Sequence, residues 1–120
     1  MSDSCTFYSS AKEAFVFGAK LPYAFEAKDQ LTMLVDLRRN YLVEAAVMGM
    51  LKENVFTIEK NRLFELSKEQ RDHLLEALPK LVDSNAFENY AECLVWFRND
   101  AEELLRQIDF ETQRFFFSYG

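Results

Sequence analysis

Residues 41–51 read YLVEAAVMGML, and on a helix they are apolar on every side except at Glu44. A helix that is hydrophobic all round has to be surrounded by other elements. This stretch is therefore predicted to be a buried helix at the centre of the fold. Gly49 is expected to mark the point where a second helix crosses it closely.

The chain on both sides of this stretch carries a helical pattern. Between Ala24 and Asn54 there is no proline, and apolar residues recur at spacings of three and four, the period of one helical face. These residues are Leu31, Leu34, Val35, Tyr41, Leu42, Ala45 and Met48. The pattern predicts one long helix over about 24–54.

A short first helix is predicted nearer the N-terminus, over about 10–17. Ser10 and Glu13 have the spacing of a capping box, and Gly18 stands where the helix would stop in a left-handed conformation. Pro22 then biases the preceding residue toward extended geometry, so a break is expected before the second helix.

Two short apolar alternations follow, over 55–59 and 62–66. A three-residue loop over 60–62 places four apolar residues on one face, namely Phe56, Ile58, Phe64 and Leu66. Asn61 can take the left-handed position of such a loop. This predicts a small β-hairpin, and the alternative is a loop followed by an early helix start.

The C-terminal half is predicted to be helical. Ser67 and Gln70 form a second capping box, which opens a helix that ends or kinks near residue 78, before Pro79. Leu74, Leu75 and Leu78 form its apolar stripe. Residues 86–118 contain no glycine or proline, and their apolar residues gather on one side of a helix, which is compatible with one long helix. A break at residues 99–100 is the alternative.

These elements predict a mainly α fold. We expect a single helical domain over residues 1–120, with four or five helices packed around the buried central helix and one short β-hairpin. A chain of this length is enough for one domain with its own core.

Aromatic residues near the C-terminus are the candidate partner-binding residues. On a single helix, Trp96, Phe110 and Phe117 lie in one column opposite the main apolar face, so the helix would meet both its own core and a partner. If the helix breaks, Trp96 and Phe110 could both reach one core. The tail adds Phe115, Phe116 and Tyr119. Three adjacent phenylalanines cannot all face one way on a helix, so at least one is exposed, and the alternative is that the chain end turns and docks.

Charge excludes some classes of protein and suggests another. The net charge is −6, which argues against direct binding to nucleic acid, because that interaction needs a concentrated positive surface. The excess acid lies in the second half, where Glu92, Glu102 and Glu103 are candidates for an acidic face. Such a face can imitate nucleic-acid phosphates or steer a basic partner, and the alternative is a solvated surface.

Residues for catalysis are sparse. His73 is the single histidine, and although Glu69 and Glu76 share its helical face, one helix supplies too few ligands for a metal. The glycines stand alone, so the sequence contains no phosphate-binding loop. We therefore expect no enzyme, no cofactor and no metal.

Nothing in the sequence indicates a membrane or a secretory route. The longest apolar run, Ala45–Leu51, is seven residues, whereas a membrane span needs about twenty. Cys5 and Cys93 lack metal-ligand spacing, which is typical of thiols in the cytoplasm.

The expected function is non-catalytic protein binding. We expect a small cytoplasmic regulator, inhibitor or chaperone-like adaptor that binds a protein partner, or itself as a homodimer, through an aromatic C-terminal helix. One alternative is an acidic nucleic-acid mimic that inhibits a basic protein. The other is a small carboxylate- or metal-dependent enzyme.

Overall fold

The fold is built on an antiparallel sheet. The computed structural model describes residues 4–13, 21–38, 41–54, 56–83 and 102–120. Within these ranges the strands are β1 (Ser4–Ala11), β2 (Thr32–Arg38), β3 (Phe64–Leu66) and β4 (Gln113–Tyr119), in the order β2-β1-β4-β3. The helices are α1 (Tyr41–Leu51), α2 (Lys68–Asp83) and α3 (Glu102–Arg106), and a 3₁₀ turn spans Ala24–Glu26.

Strands β1 and β4 form the centre of the sheet. They pair from Cys5 opposite Tyr119 to Ala11 opposite Gln113. A strand that is covered on both faces carries apolar residues in succession rather than in alternation. The run of three phenylalanines at 115–117 fits this position, and all three are fully buried.

Two apolar clusters cover the two faces of the sheet. The larger joins one face to the helices and includes Phe7, Val35, Val47, Met48, Leu66, Leu74, Leu105, Phe115 and Phe117. The smaller lies on the opposite face and consists of Ala27, Leu63 and Phe116, with Tyr8, Leu21, Ala24 and Leu31 packed against it. The larger part of the core therefore lies between the sheet and the helices, not around one helix.

Strand β2 contains an irregularity in its pairing with β1. Phe7 is opposite Val35, but Tyr8 is opposite Met33, so Leu34 is an additional residue in β2. Such a bulge breaks the alternation of side chains between the two faces. As a result, Leu34 packs against the same cluster as Val35.

The mainly α prediction is wrong. Helix and strand content are about equal, and residues 32–38 and 113–118 lie in strands where the sequence predicts helices. Ser10, the expected cap of a first helix, lies within β1. Of the predicted helix over 86–118, residues 102–106 do form the short helix α3. Residues 86–101 lie outside the described residues, and so does the possible break at 99–100.

Helix α1 forms at the predicted residues, but it is not a buried central helix. Val47 and Met48 are buried, whereas Ala45 and Gly49 are exposed. A Cβ atom added at Gly49 would meet no neighbouring atom of the described chain within 4 Å. Gly49 therefore does not mark a close helix crossing. No helix among the described residues is both long and apolar enough to cross a membrane.

The predicted hairpin is wrong in its pairing and right in one detail. Strand β3 pairs with β4, and residues 56–58 form a turn and a bend. Phe56 is 93 % exposed rather than on a buried face. Asn61 does adopt the left-handed conformation, with φ of 66°.

The capping box of α2 is confirmed. The Gln70 amide N–H donates to Ser67 Oγ at 3.1 Å, and the Ser67 amide N–H donates to Gln70 Oε1 at 2.8 Å. The helix was predicted to end or kink near residue 78, but it continues past Pro79 to Asp83.

Candidate partner-binding surface

Most of the described residues predicted to bind a partner lie inside the chain. Phe115, Phe116 and Phe117 have no exposed surface, and Tyr119 is 3 % exposed. The ring of Phe7 stacks on that of Phe115 with centroids 5.6 Å apart. These residues belong to a strand rather than a helix, and while the chain is folded their rings offer no area to a partner. Trp96 lies outside the described residues.

Phe110 is half-buried and lines a surface groove. The centroids of the Phe110 and Phe115 rings lie 6.5 Å apart in an edge-to-face arrangement. The Arg71 guanidinium lies 5.0 Å from the centroid of the Phe110 ring. The groove has a volume of about 680 Å³ and lies beside the start of α2. Its lining carries Lys12 and Lys68 together with the ion pair between Arg114 and Glu65.

The predicted acidic residues are only partly available to a basic partner. Glu102 forms an ion pair with Arg106 at 2.5 Å, which neutralises its charge locally. Glu103 is exposed and accepts a hydrogen bond from Gln107 Nε2 at 3.2 Å. Glu92 lies outside the described residues.

His73 is exposed on α2. The part of the chain that the structure describes contains no group of three or more histidine, cysteine or acidic residues that could hold a metal ion.

The structure instead exposes apolar side chains that the sequence had not suggested. In the described ranges the large ones are Phe25 at 65 %, Met33 at 59 %, Phe56 at 93 % and Leu104 at 42 %. Single exposed apolar residues are normal on a protein surface. Phe25 and Met33, however, line one cavity of about 340 Å³, which we call the Phe25 cavity. Its other lining residues are Tyr8, Ala24, Lys28, Leu31 and Asn61.

Phe25 is held in place by its neighbours. It lies on the 3₁₀ turn, where the Tyr23 amide N–H donates to Glu26 Oε1 at 2.9 Å. The rings of Tyr23 and Phe25 stack with centroids 5.4 Å apart and planes 7° apart. Phe25 is therefore exposed on an ordered support.

Tyr23 is fixed in turn by an ion pair. Its hydroxyl donates to Glu59 Oε1 at 2.5 Å, and the Arg62 guanidinium lies 4.2 Å from its ring centroid. Arg62 donates to both carboxylate oxygens of Glu59, at 2.6 and 2.7 Å, and to the Leu21 carbonyl at 2.6 Å. The hydrogen bond to the Glu59 carboxylate raises the pKa of Tyr23 above its ordinary value, and the same carboxylate raises the pKa of Arg62.

Phe56 lies on a turn that is closed by its own hydrogen bonds. Asn54 Oδ1 accepts from the Phe56 amide N–H at 2.8 Å, and Thr57 Oγ accepts from the Asn54 amide N–H at 3.0 Å. The amides of Thr57 and Ile58 donate to the Asn54 carbonyl at 3.1 and 2.9 Å. Ile58 is buried and anchors the turn to the core. Phe56 therefore projects into solvent from a supported turn.

Sequence reasoning missed Phe25, Met33 and Phe56. The spacing of Asn54 and Thr57 is typical of a polar turn, and it could have placed Phe56 outside a strand. The exposure of Phe25 and Met33 depends on tertiary packing, and the sequence carries no local signal for it.

Comparison with known proteins adds no further guidance. No protein-family model matches this chain, and no significant match was found among curated proteins or solved structures.

Proposed function

We propose that this chain is a non-catalytic protein-binding module whose contact surface consists of Phe25, Met33 and Phe56. The observation that carries the proposal is the 93 % exposure of Phe56 on a turn that its own hydrogen bonds close. Removing one phenylalanine side chain from water contributes about 1.5–3 kcal/mol. Because the turn is already ordered, little of that gain is lost in fixing its conformation on binding.

The chemistry of the Phe25 cavity also favours binding over catalysis. Aromatic and aliphatic residues dominate its lining, with Lys28 and Asn61 as polar contributors. Burial raises the pKa of Tyr8, which disfavours the phenolate that a nucleophile or base would need. Large apolar contacts with a few polar groups are typical of protein recognition.

This surface takes the place of the aromatic C-terminal helix as the contact region. A chain with one such surface would act as a regulator, inhibitor or adaptor through what it binds. We expect it to act in the cytoplasm, because its two cysteines suggest no disulfide framework.

The test is site-specific photo-crosslinking in cells, with a benzophenone amino acid in place of Phe56 or Phe25. We expect both positions to yield defined crosslinked products, and we expect Phe25→Ser to abolish the product formed from position 56. The matched control carries the same amino acid at Gln107, which is exposed in the turn that follows α3 and lies outside the proposed surface. No product at positions 56 and 25, or the same products at 107, would contradict the proposal.

A further inference from the structure

We infer that the partner is a second copy of this chain, in a two-fold dimer in which Phe56 of each copy enters the Phe25 cavity of the other. The inference rests on the proposed function, and it identifies the partner at that surface.

The two parts of the proposed interface, the Phe56 ring and the Phe25 cavity, agree in size and chemistry. A cavity of about 150 Å³ is enough to hold benzene, and the Phe25 cavity has about 340 Å³. An aromatic ring that enters it would lie among Tyr8, Phe25 and Met33, which are two aromatic residues and one sulfur-containing residue. Ring–ring and sulfur–ring contacts are favourable beyond the area that they bury.

The two parts lie on neighbouring regions of the surface. Glu59, three residues after Phe56, binds the Tyr23 hydroxyl, and the Tyr23 ring stacks on Phe25 at the cavity. Asn61, which also lines the cavity, accepts a backbone hydrogen bond from Ala24 at 2.8 Å. A two-fold interface needs one self-complementary patch on each copy. A patch that carries both the projecting ring and the cavity meets this requirement.

One acidic residue beside the Phe56 turn and one basic residue at the Phe25 cavity are opposite in sign. Glu53 lies next to the Phe56 turn and accepts from Thr57 Oγ at 2.8 Å. Lys28 lines the cavity and is exposed. In the dimer Glu53 of each copy faces Lys28 of the other, twice by symmetry. Such pairs at the rim of an interface fix its register, and they offset part of the repulsion between two chains of charge −6.

The first test is sedimentation of the full chain over a range of concentrations. We expect a species of twice 14.1 kDa, and we expect Phe56→Ser and Phe25→Ser each to weaken the dimer about 30-fold or more, as for a central interface residue. Leu104→Ser is the matched control, because Leu104 is exposed on α3 outside the surface. It should leave the dimer unchanged. Circular dichroism confirms that each variant is folded.

The second test reverses the charges. Lys28→Glu and Glu53→Lys should each weaken the dimer, and the double variant should recover most of the loss. Failure of the double variant to recover would overturn this pairing, and a Phe56→Ser variant that dimerises normally would overturn the whole inference. Species larger than two chains would overturn the two-fold arrangement.

The crosslinking experiment separates this inference from the proposed function. A product with the mass of two chains supports both. A product with another protein, from a chain that sediments only as a monomer, overturns the dimer and leaves the proposed function standing. No product at either position overturns both.

Discussion

At the scale of single residues, Arg71 connects two helices and the loop before β4. Its side chain is buried, and Nη1 donates to the Leu105 carbonyl at 2.7 Å and lies 3.4 and 3.5 Å from the carbonyls of Arg106 and Ile108. The last carbonyls of a helix lack partners within the helix, and a cation there stabilises them. Arg71, which lies on α2, thus caps the C-terminal end of α3.

We predict that Arg71→Met lowers the free energy of unfolding by about 2–3 kcal/mol, because buried carbonyls lose a charged donor. Urea unfolding measures the loss. Arg106→Met is the matched control, since the Arg106 side chain is 56 % exposed and its pair with Glu102 is an i,i+4 surface pair worth about 0.3–0.5 kcal/mol. Equal losses in the two variants would contradict the role assigned to Arg71.

Tyr23 makes stability depend on alkaline pH. Its pKa is raised in the folded chain by the hydrogen bond to Glu59, so the folded state holds the phenolic proton more tightly than the unfolded state does. The contribution of Tyr23 to the free energy of unfolding is therefore complete below about pH 10, the ordinary pKa of tyrosine. It is lost as the pH rises through the raised pKa of Tyr23 in the folded chain.

We predict that the unfolding free energy falls more steeply above pH 10 in the natural chain than in Tyr23→Phe. Urea unfolding at pH 8 and at two values above 10 measures the difference. Tyr8, whose pKa burial also raises, is present in both proteins and cancels in the comparison. Parallel curves for the two proteins would show that the Tyr23 hydroxyl contributes nothing.

At the scale of elements, the start of α2 depends on two reciprocal hydrogen bonds between Ser67 and Gln70. We predict that Ser67→Ala lowers the unfolding free energy by about 1 kcal/mol, because a backbone N–H loses its partner. Ser67→Asp should keep most of the stability, since aspartate is also a good N-cap. Thermal or urea unfolding of both variants checks this, and equal losses would rule out the cap.

The capping box could be predicted because it is local. Ser67 and Gln70 contact each other within one turn, so their spacing carries all the information that the structure uses. The left-handed Asn61 was predictable for the same reason, because its conformation depends on residue type at a turn.

Strands β2 and β4 were mistaken for helix because each lacks the alternation that identifies a strand. In β2 the bulge at Leu34 turns two successive residues to one face, which imitates a helical spacing. In β4 both faces are covered, so Phe115–Phe117 form a continuous apolar run. The bulge in β2 and the burial of both faces of β4 depend on contacts between distant parts of the chain.

The exposure of Phe56 also depends on the pairing of distant strands, and for this reason the sequence did not predict it. The alternation of Phe56 and Ile58 correctly placed Ile58 in the core, but it assigned Phe56 to the same buried face. That assignment required residues 55–59 to pair with 62–66. Because β3 pairs with β4 instead, Phe56 lies on a turn and is exposed.

At the scale of the whole molecule, stability is concentrated in the pair formed by β1 and β4. These strands are hydrogen-bonded to neighbours on both sides, and Phe7 of β1 and the aromatic residues of β4 are buried. Amides in such a place exchange with solvent only when the whole chain unfolds, whereas amides of surface turns exchange through local opening.

We predict that amide hydrogens of Phe7, Phe115 and Phe117 exchange most slowly, with a protection that equals the global free energy of unfolding. The Lys52 amide, at the end of α1, should exchange much faster. Hydrogen exchange followed by NMR tests this, together with urea unfolding under the same conditions. Exchange of the β4 amides as fast as that of Lys52 would show that the central pair opens independently.

The register of β1 and β4 also bears on how the chain is synthesised. Ser10 lies opposite Arg114, so β1 leaves the ribosome long before the strand that completes its hydrogen bonds exists. At about 5–20 residues per second, translation of the intervening segment takes roughly 5–20 s. During that interval the nascent strand carries Phe7 and Tyr8 beside open backbone groups. Chaperones that bind extended apolar segments should therefore associate with this protein early in translation and leave once residue 119 emerges.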